Sequence, residues 1–327
     1  MKNYKLSDET KTTAWGTVLH RIVATTTFTL ACGLTVNAGD VGGWIEKESN
    51  LSDNAWVSDN AEVSGDAKVF GDARVSGDAE VCGNARVSDN AQVYGDAKVF
   101  GNAQVYGNTE VCGDTKVFDD AQVYGRAQVC GKSRVYGDAK ASCNARVFGD
   151  AEVCGNAEVS SNALVHGTAR VSDNALVSDN AQVYGDAWVA GKALVRGNAH
   201  ISGDAKVAGD ALVCGNATVY DNAHVSGDAL VCGDAQIYGD AEVSGGAKIS
   251  GDAKIMNASD YIVFKNSWSS GRYFTWTKSN DQWTEGRFYG TGDELIRKAY
   301  ADSEDNGKHY EACVKLVETL KNVEQEK

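Results

Sequence analysis

The chain has 327 residues, 36 of them glycine and none proline, and its 31 Lys and Arg against 45 Asp and Glu leave a net charge of −14. Without proline it is neither a collagen nor a polyproline recognition segment, and 43% hydrophobic residues exclude wholesale disorder. The acidic balance argues against a general duplex DNA binder, which must neutralise many phosphates.

Residues 1–44 follow no repeat. After a polar leader, residues 20–29 are rich in β-branched side chains and predict one or two strands. Gly39, Gly42 and Gly43 then mark turns ahead of Trp44. The apolar stretch 22–36 holds too many threonines for a signal peptide, and no run approaches 18 consecutive apolar residues. This segment is expected to cap the first coil of the repeat region that begins at Ile45, with Trp44 and Trp56 packed there.

From Ile45 to Ile255 every sixth residue is Ile, Leu or Val, with Ala141 the one exception, which makes thirty-six units. Four residues after each aliphatic comes a small residue, Ala except at Ser49, Thr109, Thr115, Ser133 and Ser259. A period of six is neither that of a half-buried strand nor that of a helix. It predicts a coil of three flat strands and three tight bends. The aliphatic points inward, Ala sits inside near the corner, and Gly with Asp or Asn makes the bend. Proline would remove a hydrogen bond between coils. Eighteen residues per coil give about 12 coils and a rod about 55–60 Å long, whose open ends need caps.

At Tyr261 the pattern stops. Residues 261–264, 272–277 and 282–289 predict three strands, and 293–303 and 308–322 predict two helices. The second helix has an apolar face of Tyr310, Cys313, Val314, Val317 and Leu320. Gly290-Thr291-Gly292 predicts a turn and helix start, with an anion site as the minor alternative. The expected organisation is an N-terminal β cap (1–44), a β-helix (45–260) and a β-β-β-α-α domain (261–327). That last domain contains Trp268, Trp276 and Trp283, and it caps the rod, dimerises or forms the binding head.

Residues that break the repeat are the candidate functional ones. Leu176, Leu194, Leu212 and Leu230, with Cys214 and Cys232 beside them, fall in one outward column and predict a homo-oligomer interface or a seat for the C-terminal domain. Arg126, Lys132, Arg134, Lys140 and Arg146 form a basic belt on an acidic chain. The belt either meets an acidic partner or balances nearby Asp columns. Phe100, Phe118 and Tyr136, beside Lys98, Lys116 and Arg134, predict a ring ladder that supports parallel strands, as do Tyr106 with Tyr124 and Tyr220 with Tyr238. The nine cysteines form no C-x-x-C pair and read as thiols of a reducing compartment. Cys112 with Cys130 and Cys214 with Cys232 are stacked outward pairs, expected as thiols in a serine-like slot, with a disulfide or a soft metal as the alternatives. The five histidines, His20, His166, His200, His224 and His309, lie on no inserted loop, and no Walker, HExxH or G-x-S-x-G motif is present. No catalytic residue, metal ligand or cofactor site is assigned.

The six-residue units resemble the hexapeptide repeats of left-handed parallel β-helices, known from bacterial acyltransferases, over roughly residues 45–260. The resemblance implies a mainly β fold: a left-handed parallel β-helix of about 12 three-sided coils, with an N-terminal β cap and a small C-terminal α+β domain. Those enzymes typically use a histidine general base and extrude long loops from the helix; the matching loop histidine is missing here. The run Ala38-Gly39-Asp40-Val41-Gly42-Gly43-Trp44-Ile45-Glu46 resembles a group of phage and prophage proteins, and the start of a bacterial protein assigned as an acetyltransferase without demonstrated activity. That implies a phage or mobile-element origin. The expected function is a non-catalytic protein-binding β-helix, in its specific form a phage-encoded inhibitor of a host protein in the host cytoplasm. The alternatives are a spacer or fibre component of a phage particle and an acyl-CoA-dependent acyltransferase. A protein partner and homo-oligomerisation are expected, a membrane or nucleic acid is not.

Overall fold

The computed structural model describes residues 2–269 and 271–325. The fold is a mainly β solenoid of about twelve coils with strands added at the N-terminal end and a small helix-containing domain at the C-terminal end. By its contacts the chain divides into two units, Met1–Lys192 and Ala193–Lys327.

In the first unit two-residue strands recur every six residues, so that Glu80–Val81, Arg86–Val87 and Gln92–Val93 make the three sides of one coil. The first residue of each strand points out and the second is fully buried. Coils stack parallel and in register, Glu80 beside Lys98 and Val81 beside Val99. Every second amide reaches the next coil: Glu80 N–H donates to Ala97 O at 2.9 Å, Cys82 N–H to Val99 O at 2.9 Å and Asn84 N–H to Gly101 O at 2.8 Å. Three axial donors in six residues explain why proline is missing. Each coil buries three valine-sized side chains worth about 1.5–3 kcal/mol apiece with three alanines. That is too little for a coil alone, and stacking supplies the rest.

The bends alternate between room and an acceptor. Asp53 adopts φ 57°, and its Oδ2 accepts from Gly71 N–H at 3.1 Å. Gly71 has φ 73°, and a Cβ there would lie 2.9 Å from Asp89 N, so a side chain at this position would force the neighbouring backbone to shift. Asp89 in turn accepts from Gly107 N–H at 2.9 Å.

At the N-terminal end Val18–Ala24 pairs antiparallel with Tyr4–Thr12 on one side and Val41–Ile45 on the other. Phe28–Thr29 pairs with Thr35–Val36. Tyr4–Thr12, expected to be a polar leader, is the longest strand of the chain. Only its Tyr4 is buried, so it carries no apolar alternation for sequence reading to find. Trp44 and Trp56 are buried as expected. Lys11 and Arg21 lie 4.5 and 4.8 Å from the Trp44 ring centroid, and Phe28 meets Trp56 edge-on at 5.9 Å.

Ala141 stands on a rung between Val123 and Val159 and is fully buried. Two methyl groups are missing from an otherwise filled column. Ala141→Val is expected to raise stability by about 1 kcal/mol, measured as a higher urea midpoint. A lower midpoint would show that the coil has closed around the alanine.

In the second unit Leu194–Val195, Leu212–Val213, Leu230–Val231 and Lys248–Ile249 form one side of the solenoid, and His200–Ile201 through Lys254–Ile255 form another. The last coil has no successor to accept its amides. Side chains take over: Lys248 N–H donates to Thr275 Oγ1 at 2.8 Å, Lys254 N–H to Ser279 Oγ at 2.7 Å, and Met256 N–H to Asp260 Oδ2 at 2.8 Å. Thr275 and Ser279 come from the C-terminal domain, which therefore seats on that coil.

This domain has four antiparallel strands, not three: Tyr261–Lys265, Tyr273–Thr277, Gln282–Glu285 and Phe288–Gly290. The expected strand 282–289 folds back on itself at Gly286, whose φ is 59°. Helices α1 (Gly292–Asp302) and α2 (Glu304–Gln325) cover the sheet around Phe274, Trp276, Trp283, Leu295, Tyr310, Val314 and Val317. Leu320, expected in that core, is 44% exposed. Lys321 covers Trp276 instead, with its ammonium 5.9 Å from the ring centroid and 2.7 Å from Asp281 Oδ2. Gly290-Thr291-Gly292 is a turn closed by a capping box, in which Thr291 Oγ1 accepts from Glu294 N–H and Glu294 Oε2 accepts from Thr291 N–H.

Candidate protein-binding surfaces

The five belt residues are all exposed or half-exposed. Arg126 and Lys132 sit at corners, while Arg134, Lys140 and Arg146 point outward from three successive strands, one on each side of the coil. Residues 121–149 carry these five cations and one acid, Asp138. Arg134 pairs with Glu152 at 3.2 Å, and Arg146 lies over the Phe148 ring at 5.3 Å. Arg126, Lys132 and Lys140 make no ion pair among the described residues.

Two of these cations differ in what the fold asks of them. Lys132 interrupts a corner column in which Asp114 precedes it and Asp150 follows, so it relieves repulsion between stacked carboxylates. Arg126 interrupts a column of asparagine amides bonded one to the next, Asn90 to Asn108 at 2.8 Å and Asn144 to Asn162 at 3.0 Å. An arginine offers no acceptor there, so it breaks the ladder without helping the coil.

The structure joins the belt to the ring ladder. Phe100, Phe118 and Tyr136 stack with centroids 4.9 Å apart, one step along the strand from Lys98, Lys116 and Arg134. Lys98 is tied to Glu80 at 2.8 Å. Lys116 is exposed and makes no ion pair among the described residues. Burial in the stack and a hydrogen bond with Cys154 push the Tyr136 phenol up to about 12, so it stays neutral. Lys116 and Arg134 with the rings of Phe118 and Tyr136 thus form one basic and aromatic surface, which Lys132 extends from the corner before Arg134. Arg134 belongs to both, to the belt along the chain and to the cation column beside the ladder, as the eighteen-residue period places it.

The leucine column is less open than expected. Leu194, Leu212 and Leu230 stack in register and are half-buried by one another, and Leu176 lies beside Glu158 in the first unit. Cys214 and Cys232, also half-buried, follow in the next column with Arg196 one rung before them. A hydrogen bond from Cys232, reinforced by Arg196, brings the Cys214 thiol down to about 7, and the same bond pushes Cys232 up. Cys112 and Cys130, expected as thiols with a disulfide as an alternative, are joined in a disulfide. Parallel coils hold residues eighteen apart at strand spacing, and the Cα separation of 4.6 Å suits a disulfide.

In the C-terminal domain Trp276 and Trp283 are core residues, whereas Trp268 is 46% exposed and stacks on His309 at 4.3 Å. A polar cavity of about 160 Å³ lies among Asn266, Arg272, Glu285, Lys298, Asp302 and Tyr310. Its buried groups bond to each other: Tyr310 OH donates to Glu285 Oε1 at 3.1 Å, Lys298 Nζ to Glu285 Oε2 at 2.9 Å, and Asn266 Nδ2 to the Tyr310 oxygen at 3.2 Å. This network joins sheet to helix, and no motif in the sequence announces it.

The histidines are dispersed. His20 lies opposite Ile45 in the N-terminal sheet, and His166 is stacked between Phe148 and Tyr184, where burial lowers its pKa. His200 pairs with Thr218, and His224 stands between Lys206 and Glu242. Among the described residues no three His, Cys, Asp or Glu side chains gather as a metal site, and no helix is long and apolar enough to cross a membrane.

The YdcK β-solenoid repeat matches residues 79–95, 91–107, 169–183 and 211–227, which makes the chain similar to that repeat family in those segments. Among solved structures it is similar to one described as "putative acetyltransferase from Desulfovibrio desulfuricans G20", at 12% identity and a TM-score of 0.21, over 75% of this chain. The chain covers 61% of that protein's length. No curated protein matches it. None of these matches bears on the phage kinship implied by the Gly-Asp-Val-Gly-Gly-Trp-Ile motif.

Proposed function

We propose that the protein is a non-catalytic scaffold whose basic and aromatic face takes an acidic surface of another protein. The observation that carries this reading is Lys116, an exposed cation without an ion pair among the described residues, beside a column of stacked rings, with Lys132, also exposed and without an ion pair among the described residues, at the corner just before Arg134. Charge gives a partner direction, and the rings give it apolar contact. Arg126, which breaks an amide ladder for no structural return, supports the same reading. In its specific form the protein is a phage-encoded inhibitor of a host protein, a form supported by the N-terminal motif alone. The proposed setting is the cytoplasm, supported by seven free cysteines. There the Cys112–Cys130 bond would be a thiol–disulfide couple and not a permanent staple.

Lys116→Glu combined with Lys132→Glu tests this. Wild-type protein should retain a stoichiometric acidic partner at low salt and release it at high salt, and the variant should bind it at least about tenfold more weakly. Equal retention by both proteins rejects the surface. Incorporation into purified particles would favour a spacer, and acyl-CoA turnover an enzyme. Light scattering on the same samples covers the oligomer: a mass of two or more copies that falls to one on Leu194→Lys with Leu212→Lys makes the leucine column a self-interface.

A further inference from the structure

We propose that Cys214 and Cys232 form a reversible dithiol site that reacts with low-molecular-weight disulfides and closes into a second disulfide between neighbouring coils. The protein contains its own precedent. Six cysteines occur in the same setting, Val-Cys-Gly, at positions 82, 112, 130, 154, 214 and 232. A cysteine at this position points outward just before a bend, and its neighbour in the column lies eighteen residues away. Cys82 and Cys154 have rings as column neighbours, at the two ends of Phe100–Phe118–Tyr136. Only two pairs are adjacent: Cys112 with Cys130, which is bonded, and Cys214 with Cys232, which is not. The register of the second pair is equally direct, with Val213 beside Val231 and Cys214 N–H donating to Val231 O at 2.9 Å. Strand spacing of about 4.8 Å places both Cα atoms within disulfide range, so closure needs no backbone movement.

What distinguishes the second pair is its column. Arg196 stands one rung before Cys214, within hydrogen-bonding reach of its sulfur, and Ser250 stands one rung after Cys232. The guanidinium and the Cys232 S–H stabilise a thiolate on Cys214, which makes it the attacking sulfur. That thiolate attacks one sulfur of the small disulfide, the S–S bond breaks, and a first small thiolate leaves and takes up a proton. Cys232 then loses its proton and attacks Cys214 Sγ, which expels the second small thiolate. Two electrons and two protons pass from the protein to the small disulfide, which ends as two thiols. Leu212 and Leu230 stand two residues before the pair, so the lock lies beside the leucine column.

The test treats full-length protein with glutathione disulfide under native conditions and maps each cysteine by differential alkylation and peptide mass spectrometry. Wild type should gain a Cys214–Cys232 link that retains no glutathione and reopens with dithiothreitol. Cys232→Ser should trap glutathione on Cys214, and Cys214→Ser should abolish the link. Serine already occupies the column at Ser250, so both variants should keep the wild-type far-UV circular dichroism. Cys112–Cys130 serves as the linked control. A mixed disulfide that persists on Cys214 in wild type, or two thiols still open to alkylation after treatment, overturns the proposal.

Discussion

Phe274→Ala should melt the C-terminal domain while the coils stay folded. Phe274 is the largest fully buried side chain. Its ring centre lies 4.7 Å from that of Tyr310, 5.2 Å from that of Phe264 and 5.9 Å from that of Trp283. Removing it opens a cavity among groups held by a four-stranded sheet and two helices, at a cost of about 3–5 kcal/mol. A domain of this size has only about 5–15 kcal/mol to lose. The buried Trp276 and Trp283 should become wet, so tryptophan emission shifts to the red at lower urea than in wild type. The solenoid's far-UV β signal should remain at that urea concentration. Loss of both signals in one transition would mean that domain and last coil unfold as a unit. The variant has a second consequence. Thr275 and Ser279 would no longer hold the Lys248 and Lys254 amides, and an uncovered solenoid end offers unpaired donors to any strand. Concentration-dependent aggregation should therefore accompany the emission shift.

The coils were legible because one constraint is applied thirty-six times. An inward valine and a corner alanine recur without slippage, and each is visible as a residue type. The N-terminal strand Tyr4–Thr12 was not legible, since only Tyr4 is buried there and its other anchors, such as Lys11 on Trp44 and Glu62, are contacts with distant residues that leave no periodic pattern. The hairpin at Gly286 was missed because eight residues of strand-like composition hide one positive φ. Leu320 was assigned to the core by spacing, yet the alkyl chain and charge of Lys321 serve that place better, with Asp281 as partner. The eighteen-residue period also placed the candidate surface: Phe100, Phe118 and Tyr136 fall beside Lys98, Lys116 and Arg134, and Cys112 falls beside Cys130. Spacing does not decide which cations are tied to a carboxylate or which cysteine pair is bonded, because both depend on side-chain geometry.

Asn50 is the second residue whose loss should be severe. The first coil bonds to the next through Glu46 N–H to Val63 O and Ser52 N–H to Val69 O, but its turn Glu48–Asn50 interrupts the series opposite Gly65 and Ala67. Asn50, 1% exposed on that short helical turn, fills the gap with its side chain: Nδ2 donates to Gly65 O at 3.0 Å and to Ala67 O at 2.9 Å, while Oδ1 accepts from Lys47 N–H at 2.8 Å. Asn50→Leu is similar in size and keeps the packing but strands three backbone groups. Each buried unpaired group costs about 1–3 kcal/mol, and because Lys47 and Gly65 are only half-buried the expected loss for the three is about 3–5 kcal/mol, the lower part of that range. Amide exchange should show it as fraying of the first coil. Asn50→Asp separates bonding from shape. The new carboxylate still accepts from Lys47 but faces two carbonyl oxygens, so its folded-state pKa rises above the unfolded value of about 3.9. A raised folded pKa contributes stability that is present below the unfolded pKa and lost as pH rises through the folded one. The deficit of Asn50→Asp against wild type should thus be small near pH 4, where the protonated acid donates to one carbonyl, and grow toward pH 7. Urea titrations at the two pH values measure it. A deficit independent of pH would show that water, not the Asn50 amide, satisfies the Gly65 and Ala67 carbonyls.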